Sequence, residues 1–168
     1  MAVSIREATA ADTEALTPLI RAALSEQAQA APHRYTPTDD FEIHFRRWLG
    51  KLMEDPRSTV LAAVDPSLPA VPVLGYVLAS VQSGPPIFHP SEFAMIHHLY
   101  VHADFRRLGI ARRLVRAAAH FYASLNLHQI RVETSAGNAA AQSFLASLGF
   151  HASTVSMIRP LGKQSKLS

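Results

Sequence analysis

No proline lies between Ser91 and Arg159, whereas nine of the eleven in the chain fall between Pro32 and Pro90. Proline lacks a backbone N–H and pushes the residue before it out of the helical region, so it interrupts helices and is excluded from central strands. The second half of this 168-residue chain therefore reads as a continuous scaffold, and the first half as segmented and richer in loops.

Hydrophobic spacing fills in the elements. Val3–Arg6 fits a short strand. Asp12 opens a helix with Leu16, Leu19, Ile20 and Leu24 on one face. A second helix starts near Thr38 or Asp39, buries Phe41, Phe45, Trp48, Leu49 and Leu52, and stops before Pro56. Thr59–Val64 and Val73–Val81 read as hairpin partners across the Asp65–Pro69 turn, and Ser83–Pro86 breaks the chain again. Phe93–His102 is the next strand. Ile110–Leu125 is the strongest helix, with Ile110, Leu114, Ala117, Ala118, Phe121 and Leu125 inward. Gln129–Thr134 alternates as a half-buried strand. Asn138 caps a helix that buries Ala141, Phe144, Leu145 and Leu148 and ends at Gly149, and His151–Ile158 is expected to close the sheet. The expected order is β-α-α-β-β-β-α-β-α-β, an α/β layered fold around a mixed sheet, in a single domain over residues 1–168 with its core at 3–158 and a tail at 159–168.

Composition removes several function classes. With 48% hydrophobic and 17% charged residues the chain is not of a disordered type. It has no cysteine, which excludes disulfides, a thiol nucleophile and cysteine-ligated metals. No apolar run reaches the ~18 residues of a membrane span, and the N-terminus does not read as a signal peptide. The expected location is the cytoplasm, with no membrane partner.

The net charge of +3 conceals a split. Residues 1–104 hold seven Lys/Arg and twelve Asp/Glu, whereas residues 105–168 hold nine Lys/Arg and only Glu133. Only three of the sixteen basic residues are lysine and no aromatic interleaving accompanies them, so a small polyanion fits the basic half better than nucleic acid does.

The basic half contains the most informative segment, Tyr100 to Ala111, where a strand ends, a short turn follows and the long helix begins. Gly109 and Ala111 keep the helix entrance free of bulk, so its first-turn N–H groups and the positive end of its dipole can meet an anion. Arg106, Arg107, Arg112, Arg113 and Arg116 add charge, although a solvated helix face would also account for the last two. No Gly-Lys-Ser/Thr follows, which excludes the nucleotide P-loop, and three spaced glycines are lacking, which excludes the dinucleotide fingerprint.

The pattern Arg106-x-x-Gly109-x-Ala111 resembles the Arg/Gln-x-x-Gly-x-Gly/Ala signature of the GCN5-related N-acetyltransferase (GNAT) family. Leu99-Tyr100-Val101 is similar to the family's fourth strand. Asn138-x-x-Ala141-x-x-Phe144 with Leu148-Gly149-Phe150 is similar to its second block, and Ile5-Arg6-Glu7-Ala8-Thr9-x-x-Asp12 to its opening. The resemblance spans residues 3–158 and implies a mostly antiparallel sheet flanked by helices. It also implies acetyl-CoA as co-substrate and an amine as acceptor. By resemblance, Arg106 belongs to the cofactor-binding loop, and the amides of Arg107, Leu108, Gly109, Ile110, Ala111 and Arg112 cradle the pyrophosphate. The backbone of Leu99 and Val101 pairs with the pantetheine arm, and Asn138 contacts that arm as well as capping its helix. Homodimers occur in the family, and no residue pattern here selects one.

The chemistry departs from the family at one point. Many members carry a tyrosine in the fourth helix that protonates the departing thiolate, and Leu145 stands at the matching position. For the base, His97 matches a position where some relatives place an acidic residue, and histidine has a suitable intrinsic pKa. Strict alternation puts His97 on one face with Leu99 and Val101, and His98 with Tyr100 on the other. Metal binding by His97, His98 and His102 is disfavoured because consecutive strand residues diverge. The acceptor site is expected in the first half, from the two N-terminal helices and the Ser83–Pro90 loop. The acids Asp39, Asp40, Glu42, Glu54 and Asp55 there suit a cationic amine or a solvated rim. The leading reading is an N-acetyltransferase working by direct attack, with catalytic His97 and no metal. The alternative is a non-catalytic acyl-CoA-binding sensor of the same fold.

Overall fold

The computed structural model describes residues 2–68 and 70–159, so the tail from residue 160 onward lies outside the described residues. They group into two compact units: one runs to Ala23 and resumes over Thr38–Glu133, and the other combines Leu24–Pro37 with the residues from Thr134 onward.

The first unit holds a sheet of β1 (Ser4–Glu7), β2 (Ser58–Val64), β3 (Gly75–Ser83), β4 (Glu92–Val101) and β5 (Ile130–Val132), lying side by side in that order. Neighbours from β1 to β4 are antiparallel, and β5 runs parallel to β4. Tyr76, Val77, Leu78 and Ala79 of β3 are all fully buried. Successive strand residues point to opposite faces, so both faces of the sheet centre are covered. The cover comes from α1 (Thr13–Ala30, whose first part belongs here), α3 (Phe41–Glu54) and α4 (Ile110–Ser124). Leu16, Ile20, Leu49, Ile110 and Leu114 supply fully buried side chains, each stabilising by about 1.5–3 kcal/mol. The second unit holds the end of α1, the short α2 (Pro32–Tyr35) and α5 (Ala139–Ala146).

Asp12 acts through its carboxylate rather than as the first cap. It accepts two N–H bonds from Arg6 at 2.7 and 2.8 Å, the Thr9 backbone N–H at 2.7 Å and the Thr9 hydroxyl at 3.1 Å. A turn of 3-10 helix (Ala10–Asp12) then leads into α1. The Arg6 bonds hold the carboxyl at a pKa of about 2. This ties the end of β1 to the start of α1.

Three expectations need correction. The inner stripe of α4 is Ile110, Leu114, Val115, Ala118 and Tyr122, while Phe121 and Leu125 are only half-buried. Helical spacing fits either stripe, so periodicity does not choose between them. β5 keeps only three of the six residues expected of it. Finally, His151–Ile158 forms no strand: Val155 and Met157 are 87% and 91% exposed. A strand exists through its ladder, and one exposed apolar pair provides too little burial to fix a register.

At Gly75 the backbones of β3 and β4 leave no room for a side chain. A Cβ there would lie 2.7 Å from the Tyr100 carbonyl oxygen and 3.1 Å from the Val101 Cα. Both obstacles are backbone, so β3 and β4 would have to separate. Gly75→Ala is expected to cost about 1–3 kcal/mol of stability, read as a lower denaturant midpoint. An unchanged midpoint would show that the two strands part freely.

Candidate functional site

The site begins with a change of direction inside β4. The Ala94 amide donates to Gln129 on the β5 side at 2.9 Å, whereas the His102 amide donates to Leu74 on the β3 side at 2.8 Å. Residues an even number apart in a regular strand turn their N–H groups the same way. One extra residue must therefore intervene. Leu78 pairs with His98 and Ala79 with Ile96, which leaves His97 as that residue, in a β-bulge.

The bulge has two consequences. Beyond it, Leu99 and Val101 turn their backbone groups away from β3. On that side β5 has already ended, its last pair being Ile96 with Val132. The result, among the described residues, is an open backbone edge, where the Val101 carbonyl accepts a bond from Arg106 Nε at 3.0 Å. The second consequence concerns side chains. His97 joins the face of His98 instead of that of Leu99 and Val101, which overturns the alternation expected from sequence. Its Nε2 lies 2.7 Å from the hydroxyl oxygen of Ser80, a residue paired with Met95, and the Trp48 ring meets His97 at 5.4 Å and His98 at 6.0 Å.

The open edge leads into the basic loop. Ala103–Phe105 makes a short turn in which His102 Nδ1 accepts the Asp104 amide at 3.3 Å. Arg106 folds back so that its guanidinium carbon stands 5.1 Å from the Tyr100 ring centroid. Arg107 and Gly109 both have left-handed backbone, with φ of 65° and 76°. Gly109 is the N-cap of α4 and has no side chain with which to cap it. Ile110 anchors the first turn in the core, Leu108 is 53% exposed, Ala111 is half-buried, and Arg112 faces solvent. A basic loop with an uncapped helix start is a device for holding an anion through backbone N–H groups.

Burial pushes the His97 imidazole below its ordinary pKa of 6.5, and Glu133 partly opposes the shift. His98 is driven further, to about 4, by burial and then by His97. Both rings are therefore neutral near pH 7. A neutral imidazole can accept a proton, and His97 is the less deeply buried of the two.

Other expected participants are spoken for locally. Asp40 bonds His44 at 2.9 Å, Glu42 bonds Arg21, and Asp55 accepts the Ser58 hydroxyl at 2.5 Å. Phe45 is buried, as is Leu49, while Trp48 is only half-buried, facing the two histidines. In the Ser83–Pro90 loop Ile87 and Phe88 are exposed. Among the described residues, no group of three or more His, Asp or Glu side chains could hold a metal ion. In the second unit Asn138 caps α5, its Oδ1 accepting the Ala141 amide at 3.0 Å. α5 ends in a Schellman motif: the Phe150 amide reaches the Leu145 carbonyl at 3.1 Å, and the Gly149 amide reaches Ala146 at 3.0 Å with φ 90° at Gly149. Leu145 is buried. Sequence reasoning missed Ser80 and Gln82. The available signal was a pair of polar residues at strand spacing directly after the apolar run Tyr76–Ala79.

Comparison with known proteins gives a consistent picture. The sequence pattern of the Acetyltransferase (GNAT) family matches residues 19–150. None of the curated proteins matches. A mutant of the BH1408 protein from Bacillus halodurans is similar in fold, with a TM-score of 0.80 at 22% identity over 94% of this chain and 99% of its own. A predicted acetyltransferase with acetyl-CoA from Clostridium acetobutylicum gives 0.77 at 14% identity, over 98% and 100%. The aminoglycoside N-acetyltransferase AAC(6')-Iy in complex with CoA gives 0.72 at 18%, over 96% of each chain.

Two predictions follow from this geometry. A Cβ at Gly109 meets nothing within 4 Å, so Gly109→Ala is opposed by its backbone angle alone, about 1–2 kcal/mol. Gly50, inside α3 and equally open, serves as the control: Gly50→Ala should stabilise by about 0.5–1 kcal/mol. Equal effects of the two in denaturant melts would remove the left-handed cap. The second prediction concerns His98. Between pH 6.5 and about 4 the unfolded chain binds a proton at His98 that the native chain refuses, so stability falls as pH drops through that window. His98→Phe should flatten the fall in Tm between pH 7 and pH 5, whereas an unaltered slope would assign the loss elsewhere.

Proposed function

The chain belongs to the acetyltransferase (GNAT) family, and on that premise we propose that it moves an acetyl group from acetyl-CoA to the primary amine of a small molecule or peptide by direct attack. The observation that carries this reading is the continuity of the open β4 edge with the uncapped start of α4. An extended amide-bearing arm suits the backbone of Leu99 and Val101, and a pyrophosphate suits the N–H groups of the loop from Arg107 to Arg112. The Arg106 side chain acts as a clamp between loop and strand in this reading, leaving anion binding to the backbone. The start of α4 is also where the chain turns strongly basic, which favours approach of a polyanion.

Acetyl-CoA supplies a thioester whose C–S bond breaks as the amine nitrogen forms its bond to the acetyl carbon, the electron pair leaving with sulfur. The amine must shed a proton in that exchange, and His97 receives it, held neutral by burial and standing directly at the bulge. Leu145 has no proton to give, so the departing thiolate, with an ordinary thiol pKa near 8.5, takes its proton from water. The acceptor amine approaches over the face formed by Trp48, His97 and His98. Polyamines, aminoglycosides and peptide N-termini are the first panel to assay, with neutral amino acids as the contrast.

Two measurements test the reading. Acetyl-CoA at a hundredfold excess over Kd should stabilise the protein by about 2.7 kcal/mol, with ATP giving no comparable thermal shift. His97→Ala should lower turnover at saturating acetyl-CoA by at least about tenfold and abolish the acidic limb of the pH–rate profile. An unchanged profile would withdraw His97 as the base. Tight binding of acetyl-CoA without release of free CoA on any amine would instead favour a sensor of the same fold.

A further inference from the structure

Among the described residues, the His97 ring is held by one nitrogen only. Its Nε2 stands 2.7 Å from Ser80 Oγ, and Gln82 Nε2 donates to the same oxygen at 2.9 Å. Ser80 is buried at 6% exposure, and the two polar residues sit at strand spacing on β3, whose backbone is locked into the ladder with β4. No other hydrogen bond to the imidazole is found among the described residues. Its remaining neighbours are Trp48 from α3, His98 on its own strand and, through its field, Glu133 beyond β5.

We propose that Ser80 is a positioning residue for acetyl transfer: its oxygen accepts the Nε2–H of His97 and so leaves Nδ1 as the nitrogen that takes the amine proton. The inference rests on the reading of His97 as the base. Because Nε2 is engaged, only Nδ1 can be offered to an amine, and it can act as a base only if the resting proton sits on Nε2. A hydroxyl oxygen has two acceptor sites, enough for the Gln82 and His97 donors together. The hydrogen bond made by one ring nitrogen fixes the tautomer of the other. When Nδ1 takes the proton from the attacking amine, the Nε2–H bond to Ser80 becomes charge-assisted and shortens. Ser80 thus stabilises the imidazolium at the moment it forms, without itself gaining or losing a proton. The bulge is what makes such an anchor necessary. His97 is the residue left over by the ladder, so its ring direction is fixed by a side-chain bond where its neighbours rely on backbone pairing.

The test begins with the ring itself, without any acceptor. Nitrogen-15 spectra of the imidazole in the unliganded protein at pH 8 should show His97 with its proton on Nε2 and a bare Nδ1. A proton resident on Nδ1 overturns the proposal whatever the activity. Ser80→Ala should mix the two tautomers and lower kcat by roughly tenfold, with the KM for acetyl-CoA within about twofold. The acidic limb of the rate profile should move to lower pH as the acceptor of the imidazolium proton is lost. Ser80→Thr, which keeps the hydroxyl, should restore tautomer and rate, and a Thr variant as slow as the Ala variant while still folded counts against the proposal. Failure of the parent reading looks different. His97→Gln with undiminished turnover removes the base assignment while leaving the tautomer measurement intact.

Discussion

A single surplus residue in β4 governs the rest of the site. Without the bulge at His97, the backbone groups that now face away from β3 would belong to other residues, and His97 and His98 would lie on opposite faces of the sheet. With it, one strand presents an open polar edge on its outer side and two adjacent imidazoles against Trp48. The bulge is held in place from both directions. Before it, β4 is paired on both sides, by β3 and β5. After it, among the described residues, β4 is paired by β3 alone, with no room for a side chain at Gly75. Insertion of a residue into a strand costs ladder bonds, and its retention beside a pocket of polar groups is the expected place for such an expense.

The electrostatics follow from this placement. Burial lowers the pKa of both His97 and His98, and Glu133 opposes the shift at His97. The two rings differ in depth, and burial depresses the deeper His98 further than it does His97. Charge of the other kind is concentrated in the loop after β4, where positive side chains surround backbone donors instead of replacing them. Arg106 fastens the loop to the strand through the Val101 carbonyl and the Tyr100 ring.

Much of this was legible in the residues. The proline-free half marks the region of β4 and α4, and the strand–turn–helix passage into Gly109 could be placed to within a residue because glycine at a helix entrance has few other uses. Asn138 and Gly149 likewise identify the two ends of α5 through their capping chemistry. What could not be read was register. A bulge adds one residue without changing composition or periodicity over so short a span, so alternation assigned His97 to the wrong face. The position of Ser80 opposite it was hidden for the same reason, since cross-strand neighbours depend on a pairing that local sequence does not encode. The missing strand at His151–Ile158 is a related case: its residues are compatible with a strand, and what it lacks is a ladder.

Beyond the bulge, β4 resembles a shelf fixed along one edge. Alternate residues along it answer to different constraints: Tyr100 and His102 are bound into the fold through their amides, whereas Leu99 and Val101 hold theirs out on the opposite side. Stiffness on the free side is therefore borrowed entirely from the fixed one. Wear anywhere along the β3 seam would be felt as play at the outer edge, even where every residue of that edge is unchanged. At Gly75 the seam has no room for a side chain, so the outer surface depends on an atom that is absent on the inner one.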